Sequence, residues 1–318
     1  MKLQLEQITK LYMVTIGSSL ISSILMEIVD FASRRDKCVL SAILYSISMF
    51  SLFFGQGGNH FEMLLMGRIV YGVASALQHS SFESYALYQH SSHGFPDDWL
   101  SNTFSLLTHS IALMAVLSGV LGQIAATTGP LGCIALCCIL FAATAIYLFF
   151  MWEKDVHTPR YLLTPFLSNM SKAISTLKSN RQILVLLAIS ALSETAITIF
   201  TFYWAPWISS LVNQEDGSED QEFIPYEIYF ATLIISSMLG NYLYQIYTAS
   251  TPPSTNSSNS SSNNSSNPSS QIFQAVLLAT SVSYFLGAIF QSPVMVFGVS
   301  IALQFLVGGY WPSIGYLR

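Results

Sequence analysis

The sequence predicts an all-α polytopic membrane protein. Of its 318 residues, 52% are apolar and only 9% are charged, whereas soluble domains carry about 25% charged residues. The mean hydropathy is +0.51. Apolar stretches of about 20 residues recur along the chain, and each is long enough to cross a hydrocarbon layer of about 30 Å as a helix. A helix also satisfies its own backbone polar groups in lipid, so helices are the expected spanning elements.

Nine apolar stretches predict nine membrane spans. They cover approximately residues 8–29, 38–57, 62–87, 101–126, 130–151, 182–211, 224–247, 272–291 and 294–316. Basic residues concentrate in the connections after the first and fifth spans, and such connections usually face the cytosol. This bias places the N-terminus outside. We therefore expect an integral, multi-pass protein of the lipid bilayer, with the plasma membrane as its location.

Two connections suggest how the chain is organised. Residues 152–181 are basic and partly amphipathic, and they predict a cytosolic linker between an N-terminal helix bundle (1–151, five spans) and a C-terminal bundle (182–318, four spans). Residues 249–270 consist almost entirely of Ser, Asn, Thr and Pro. A segment of this composition has little apolar area to bury, so a disordered loop is predicted within the C-terminal bundle.

Two ionisable residues lie deep in apolar spans. Arg68 occupies the third span, where an unpaired arginine costs about 3 kcal/mol on insertion scales, so it should face protein or water. We predict that it attracts an oxyanion or controls the protonation of a carboxylate; the alternative is a structural pair between helices. Glu194 in the sixth span is a candidate cavity or proton-coupling residue, because desolvation favours the protonated acid. The alternative is a neutral, hydrogen-bonded acid in a helix interface.

Three further residues on the third and fourth spans are candidates. Glu83 follows Arg68 by fifteen positions, about 22 Å along a helix, so the two cannot pair on a straight helix. Its position near the cytosolic end predicts a gate or structural pair with Arg34 or Arg35, and proton carriage is the alternative. His79 and His109 are either cavity-lining groups or satisfied interior histidines.

Other classes of function find no support in the sequence. No basic run indicates nucleic-acid binding. The six histidines and four cysteines show no metal-ligand spacing. There is no H-E-x-x-H motif, no paired-aspartate motif and no nucleophile with a recognisable base. We therefore predict a protein that is not an enzyme and that needs no metal or other cofactor.

A connection between the first two spans resembles a signature loop of the major facilitator superfamily, G-x-x-x-D-x-x-G-R-K-R. Asp30, Arg34 and Arg35 match it, whereas Met26 and Ser33 replace its glycines. In that family the aspartate pairs with a basic side chain and latches one conformation. The resemblance implies that Asp30, Arg34 and Arg35, together with Glu83, form an inner gate.

The third span resembles a second motif of the same superfamily, an arginine followed four residues later by glycine. Arg68 and Gly72 match it. The motif belongs to the fourth helix of the fold but falls on the third span here. The resemblance therefore implies a major-facilitator-type helical bundle with about nine transmembrane helices of an expected twelve, in which the first helix and the last two are absent from this chain.

Longer stretches resemble the molybdate-anion transporter branch of that superfamily. They are Ser-Phe-Glu-Ser-Tyr at 81–85, Gly-Phe-Pro-Asp-Asp-Trp-Leu at 94–100 and Met-Leu-Gly-Asn-Tyr-Leu-Tyr at 238–244, which contains the cavity candidate Asn241. The resemblance implies a secondary transporter that takes up a small oxyanion, molybdate, by alternating access, with proton coupling as an open question. The alternatives are a non-transporting protein that acts through association and a transporter of another small solute such as a sugar.

Overall fold

The computed structural model describes residues 5–30, 32–54, 61–154, 160–161, 163–216, 226–250, 268–289 and 292–317. Within these ranges the chain forms ten helices and one pair of two-residue strands. The helices are α1 (Leu5–Ile28), α2 (Arg34–Phe54), α3 (Phe61–Ser92), α4 (Asp97–Ala126), α5 (Pro130–Met151), α6 (Leu163–Ser179), α7 (Arg181–Asp216), α8 (Tyr226–Ser250), α9 (Pro268–Ile289) and α10 (Pro293–Leu317). Strands β1 (Val29–Asp30) and β2 (Arg160–Tyr161) pair antiparallel, with Asp30 opposite Arg160.

Each predicted span falls on one of these helices, which confirms the predicted all-helical, polytopic class. Among the described residues, six helices contain a stretch that is long and apolar enough to cross a membrane. These stretches are Glu6–Met26, Arg34–Phe54, His109–Ala126, Leu131–Met151, Arg181–Leu211 and Pro293–Tyr310. The helix that matches no predicted span is α6, which lies within the predicted linker.

The chain packs as two units. The first comprises Met1–Asn102 and Ile124–Asn180, and the second comprises Thr103–Gln123 and Arg181–Arg318. The middle of α4 thus belongs to the second unit, although the sequence prediction placed the whole span in the N-terminal bundle. Gly119 allows α4 to approach α8 closely, because a Cβ added at Gly119 would lie only 2.8 Å from the Cβ of Ala231 on α8.

Within the first unit, α3 packs against both α1 and α2, and α5 packs against α2. Gly72 permits the α1 contact, since an added Cβ would lie 2.7 Å from the carbonyl oxygen of Thr15. Gly67 permits the α2 contact, where an added Cβ would meet Ser51. The buried Ser48 hydroxyl donates a 2.8 Å hydrogen bond to the Gly67 carbonyl oxygen. Small residues and interhelical hydrogen bonds are the usual means of joining helices in lipid.

Within the second unit, α10 packs against α7, α8 and α9. It crosses α8 closely, because an added Cβ at Gly308 would lie 2.7 Å from the carbonyl carbon of Ser237. The Ser236 hydroxyl donates a 2.8 Å hydrogen bond to the Ile301 carbonyl oxygen across the same crossing. The second unit is therefore held together by the same devices as the first.

The predicted disordered loop 249–270 falls largely on residues 251–267, which lie outside the described residues. Its two ends differ from the prediction: residues 249–250 complete α8, and residues 268–270 begin α9. Pro268 is the first residue of α9, a position where its fixed φ suits a helix and its missing N–H is not needed.

Candidate functional site

Arg68 lies in a cluster with Tyr71 and Ser75 of its own helix and with Tyr45 of the neighbouring α2. The arginine is half-buried on α3, and its guanidinium carbon lies 5.7 Å from the centroid of the Tyr71 ring. The Tyr71 ring packs edge-on against Tyr45 of α2 at 5.0 Å. Ser75 lies within hydrogen-bonding reach of the Tyr45 hydroxyl. We call these four residues the Arg68 cluster.

No acid among the described residues balances the positive charge of the Arg68 cluster. Among the described residues, no carboxylate forms an ion pair with Arg68; the ion pairs there include Lys10 with Glu6 at 2.7 Å and Lys154 with Asp36 at 3.6 Å. An aromatic face attracts a cation only modestly, by about 0.5–2 kcal/mol. The cluster therefore combines a cation with tyrosine and serine hydroxyls, and this combination suits an anion.

Helix packing fixes where the Arg68 cluster stands. Arg68 lies seven residues after the first residue of α3, which is about 10 Å along the helix axis. Gly67 and Gly72 flank it and hold α3 against α2 and α1 respectively. The Tyr45 ring is also stacked on Phe141 of α5, with centroids 4.9 Å apart. The side chains around the arginine therefore stand on rigid, mutually packed helices.

The other cavity candidates are distributed over both units. His79 is exposed on α3. It follows Arg68 by eleven residues, which is about 16 Å along the helix axis. The second unit holds His109 on α4, Glu194 on α7 and Asn241 on α8, all half-buried. The Asn241 side-chain oxygen accepts a 3.2 Å hydrogen bond from Gln245. Within the first unit, the structure thus groups Arg68 with tyrosines and not with His79.

The second unit contains a cavity of about 200 Å³ between α7, α9 and α10. Its polar lining includes Ser193, the residue before Glu194, together with Thr280, Ser281 and Tyr284. The Tyr284 hydroxyl is buried and has no hydrogen-bond partner among the described residues. An unsatisfied buried hydroxyl costs about 1–3 kcal/mol, so this cavity favours a guest that can form a hydrogen bond.

The predicted gate arginines are the first two residues of α2, and each lies over an aromatic ring of another helix. The Arg34 guanidinium carbon lies 4.9 Å from the centroid of Tyr88 on α3. Arg35 lies 5.1 Å from the ring centroid of Phe149 on α5 and donates a hydrogen bond to its carbonyl oxygen. Ser33 caps the helix, because its hydroxyl oxygen accepts a 3.1 Å bond from the Asp36 N–H.

Of the two acidic gate candidates, the structure describes the side chain of Glu83 and not that of Asp30. Glu83 is exposed on α3, and within the described part of the chain its carboxylate forms no ion pair with Arg34 or Arg35. The backbone of Asp30 pairs with that of Arg160 in the β1–β2 ladder. The predicted pairing of the Asp30 side chain lies outside the described side chains. A gate at this end of the first unit therefore stays a prediction.

An aromatic cluster beside the gate arginines was not predicted. The Trp152 ring stacks on Tyr85 at 4.1 Å and 13° and meets Phe82 edge-on at 5.8 Å. The Tyr85 hydroxyl donates a 3.3 Å bond to the Glu153 carbonyl oxygen. These contacts fasten the end of α5 to α3. In the sequence Tyr85 stands out only as part of a family motif, and no spacing rule relates it to Trp152.

Three members of the Arg68 cluster, Tyr71, Ser75 and Tyr45, were also missed as site residues. Tyr71 is three positions after Arg68, a spacing that places both on one helix face, so this signal was present in the sequence. Tyr45 belongs to a different helix, and no spacing rule relates it to Arg68. No group of three His, Cys, Asp or Glu side chains that could hold a metal ion occurs within the described ranges.

Comparisons with known proteins agree with the helical architecture. Residues 2–306 match the family described as sugar transporters, 12 TM. The chain is also 24% identical over 248 residues to the molybdate-anion transporter of Xenopus laevis, which covers 76% of this chain and 51% of that protein. It is 24% identical over 245 residues to the molybdate-anion transporter of Danio rerio, covering 70% and 48% respectively.

The chain thus spans about half the length of these relatives. The matched family and both relatives are named as transporters, not enzymes, in agreement with the sequence prediction. The family match extends over nearly the whole chain. The chain therefore belongs to this 12-TM transporter family of the major facilitator superfamily.

Proposed function

We propose that the chain serves in secondary transport of a small oxyanion across the plasma membrane by alternating access. Molybdate is the first substrate to test. The observation that carries the proposal is the Arg68 cluster: a half-buried arginine without a carboxylate partner among the described residues, beside Tyr71, whose ring in turn packs against Tyr45. The names of the relatives, molybdate-anion transporters, support the same substrate.

Arg68 would supply the positive charge for the anion. Hydrogen bonds from a guanidinium to an oxyanion are roughly twice as strong as neutral ones, and two of its N–H groups can engage neighbouring oxygens. The hydroxyls of Tyr45, Tyr71 and Ser75 would donate further bonds to the remaining oxygens. A dianion leaves a net negative charge on one arginine. Proton uptake by Glu194, His79 or His109 is our proposal for balancing that charge.

A neutral solute such as a sugar is the second candidate. The second-unit cavity carries the hydroxyls of Ser193, Thr280, Ser281 and Tyr284 on otherwise apolar walls. Such uncharged donors and acceptors suit a polyhydroxylated ligand, and the matched family is described as sugar transporters. The Arg68 cluster favours the anion, because a neutral sugar leaves the charge of the arginine unbalanced. A non-transporting protein that acts through association is the third candidate.

Uptake by the purified, reconstituted chain tests the proposal. We expect liposomes containing the wild type to accumulate molybdate, with inhibition by an excess of another tetrahedral oxyanion such as sulfate. Arg68→Gln should lower uptake by at least about tenfold, because a hydrogen bond to a charged group contributes about 1.5–3 kcal/mol. Arg181→Gln is the matched control: it removes the same charge from an exposed position at the start of α7 and should leave uptake unchanged.

Ligand-dependent melting separates the binding site from the transport cycle. A ligand that binds only the folded state raises stability, by about 2.7 kcal/mol at 100 times its Kd. Molybdate should raise the melting temperature of the wild type and of Arg181→Gln, but not that of Arg68→Gln. A rise with glucose and none with molybdate would favour the sugar candidate. No rise and no uptake with either solute, from well-folded protein, would leave the non-transporting alternative.

A further inference from the structure

Helix α6 differs in composition from the spanning helices. It comprises Leu163–Ser179, and its residues separate onto two faces at the helical period of 3.6. The apolar face holds Leu163, Phe166, Leu167, Met170, Ala173, Ile174 and Leu177. The other face holds serines, threonines and asparagine, with Lys172 at its centre and Lys178 at its border. No acidic residue occurs in the helix.

The middle of the apolar face of α6 is not covered by the described part of the protein. Leu167, Met170 and Ile174 are 55%, 42% and 47% exposed. Lys172 and Lys178 are exposed as well. A helix of 17 residues is about 26 Å long, which is shorter than the hydrocarbon layer of about 30 Å. Its polar face also excludes it from the hydrocarbon interior. The helix therefore has an apolar stripe that needs a cover and a basic face that needs water or anions.

The strand pair fixes where α6 begins. Strand β2 ends at Tyr161, two residues before α6, and pairs with β1, which directly follows α1. α6 itself contacts α1. The start of α6 is thereby held at the end of the first unit where α1 ends and α2 begins. The charge bias of the sequence predicts that this end faces the cytosol.

We infer that α6 lies in the cytosolic interface of the membrane, with Leu167, Met170 and Ile174 at the boundary of the acyl chains and Lys172 and Lys178 on anionic phospholipid headgroups. A basic helix with one apolar face binds to such a surface through buried apolar area and through attraction of its lysines to acidic lipids. The attraction is worth about 1 kcal/mol per lysine near the surface. This role does not depend on the transported solute.

Spin labels along α6 of the full chain test this placement. Cysteine is introduced singly at Met170, Ile174, Ser168 or Ser175, after replacement of the native cysteines, and the labelled protein is placed in nanodiscs. The label's collision rates with oxygen, which dissolves in lipid, and with a water-soluble nickel complex are then measured. At Met170→Cys and Ile174→Cys the oxygen-to-nickel ratio should be severalfold higher than at the polar-face controls Ser168→Cys and Ser175→Cys.

Two results would overturn the inference. Low collision rates with both reagents at Met170→Cys and Ile174→Cys would show that protein covers the stripe, for example a second copy of the chain. High nickel accessibility at all four positions would show that α6 stands in water. Size-exclusion chromatography of each labelled variant confirms that it is folded, so a misfolded variant is not mistaken for either result.

The lipid charge provides the second arm. In the Met170→Cys protein, the oxygen-to-nickel ratio should rise when phosphatidylcholine nanodiscs are replaced by mixtures with phosphatidylglycerol. The rise should disappear when Lys172→Gln and Lys178→Gln are added, while the ratio in pure phosphatidylcholine stays the same. An equal rise with and without the lysines would contradict recognition of anionic headgroups.

Discussion

Among the described glycines, Gly240 and Gly308 at the crossing of α8 and α10 lie closest to the backbone of a neighbouring helix. A Cβ at Gly240 would lie 2.9 Å from the carbonyl carbon of Phe305 and closer still to its oxygen. Both atoms belong to the backbone of α10, so no side-chain rotation can relieve the overlap. Gly240→Ala should therefore force the two helices apart.

The size of the effect follows from the separation. Restoring an ordinary contact requires the helices to separate by about 1 Å, and a gap of 0.5–1 Å forfeits about a quarter to a half of the dispersion energy between the facing atoms. The Ser236–Ile301 hydrogen bond, now 2.8 Å, would be stretched as well. Overpacking a tight contact costs about 1–3 kcal/mol. We expect a loss of about 2–3 kcal/mol in the free energy of unfolding.

Thermal unfolding of the detergent-solubilised protein, followed by fluorescence-detected size exclusion, measures this loss. Gly240→Ala should melt several degrees below the wild type, since 1 kcal/mol corresponds to about 2–4 °C in chains of 150–250 residues. Gly298→Ala is the control on α10, because an added Cβ there meets nothing within 4 Å. It should be neutral or stabilising by about 0.5–1 kcal/mol, the helix-propensity gain of alanine. Equal melting temperatures for the two variants would refute the tight crossing.

Two further contacts give matched pairs for the same assay. Ser236→Ala removes the hydrogen bond between α8 and α10 and should cost about 0.6–1.7 kcal/mol of unfolding free energy. Its control, Ser281→Ala, removes only a hydrogen bond within its own helix, to Leu277, and should have a smaller effect. Equal losses would contradict the interhelical role of Ser236. Trp152→Ala removes the ring contacts that join α5 to α3 and should cost about 2 kcal/mol of unfolding free energy, less than the about 3–5 kcal/mol lost on truncating a fully buried aromatic residue. Trp99→Ala, at a side chain that is 56% exposed, should cost less. The reverse order would refute the role of the Trp152 stacking.

The sequence predicted the helices well and their partners poorly. Long apolar runs indicate which segments can cross the membrane, and each of the nine runs falls on a helix. In lipid, however, the surface that faces a neighbour is as apolar as the surface that faces acyl chains, so hydropathy carries little information about contacts. The close approaches at Gly72 and Gly240 depend on which helix lies opposite, and the sequence of one helix does not contain that information.

The candidate site shows the same division. Arg68 was predictable because a charge in an apolar helix is costly and is kept for a reason. Tyr71 was within reach of the same reasoning, since it follows at helical spacing. Tyr45 was not, because it approaches from α2. The pairing of Glu83 with Arg34 or Arg35 was inferred from depth alone, and in the structure the arginines instead lie over aromatic rings.

The stability of the first unit and the proposed anion site depend on the same residues of α3. An arginine in an apolar span tends to extend toward the polar interface, which lowers the cost of its charge. Arg68 lies between two glycines that fix α3 against its neighbours, and the Ser48 hydroxyl bonds to the backbone of the preceding residue. Close packing leaves the guanidinium beside Tyr71, where no described carboxylate compensates its charge. Under the proposed function, an anion that binds there would compensate this charge, and the free energy gained would both hold the anion and stabilise the folded state.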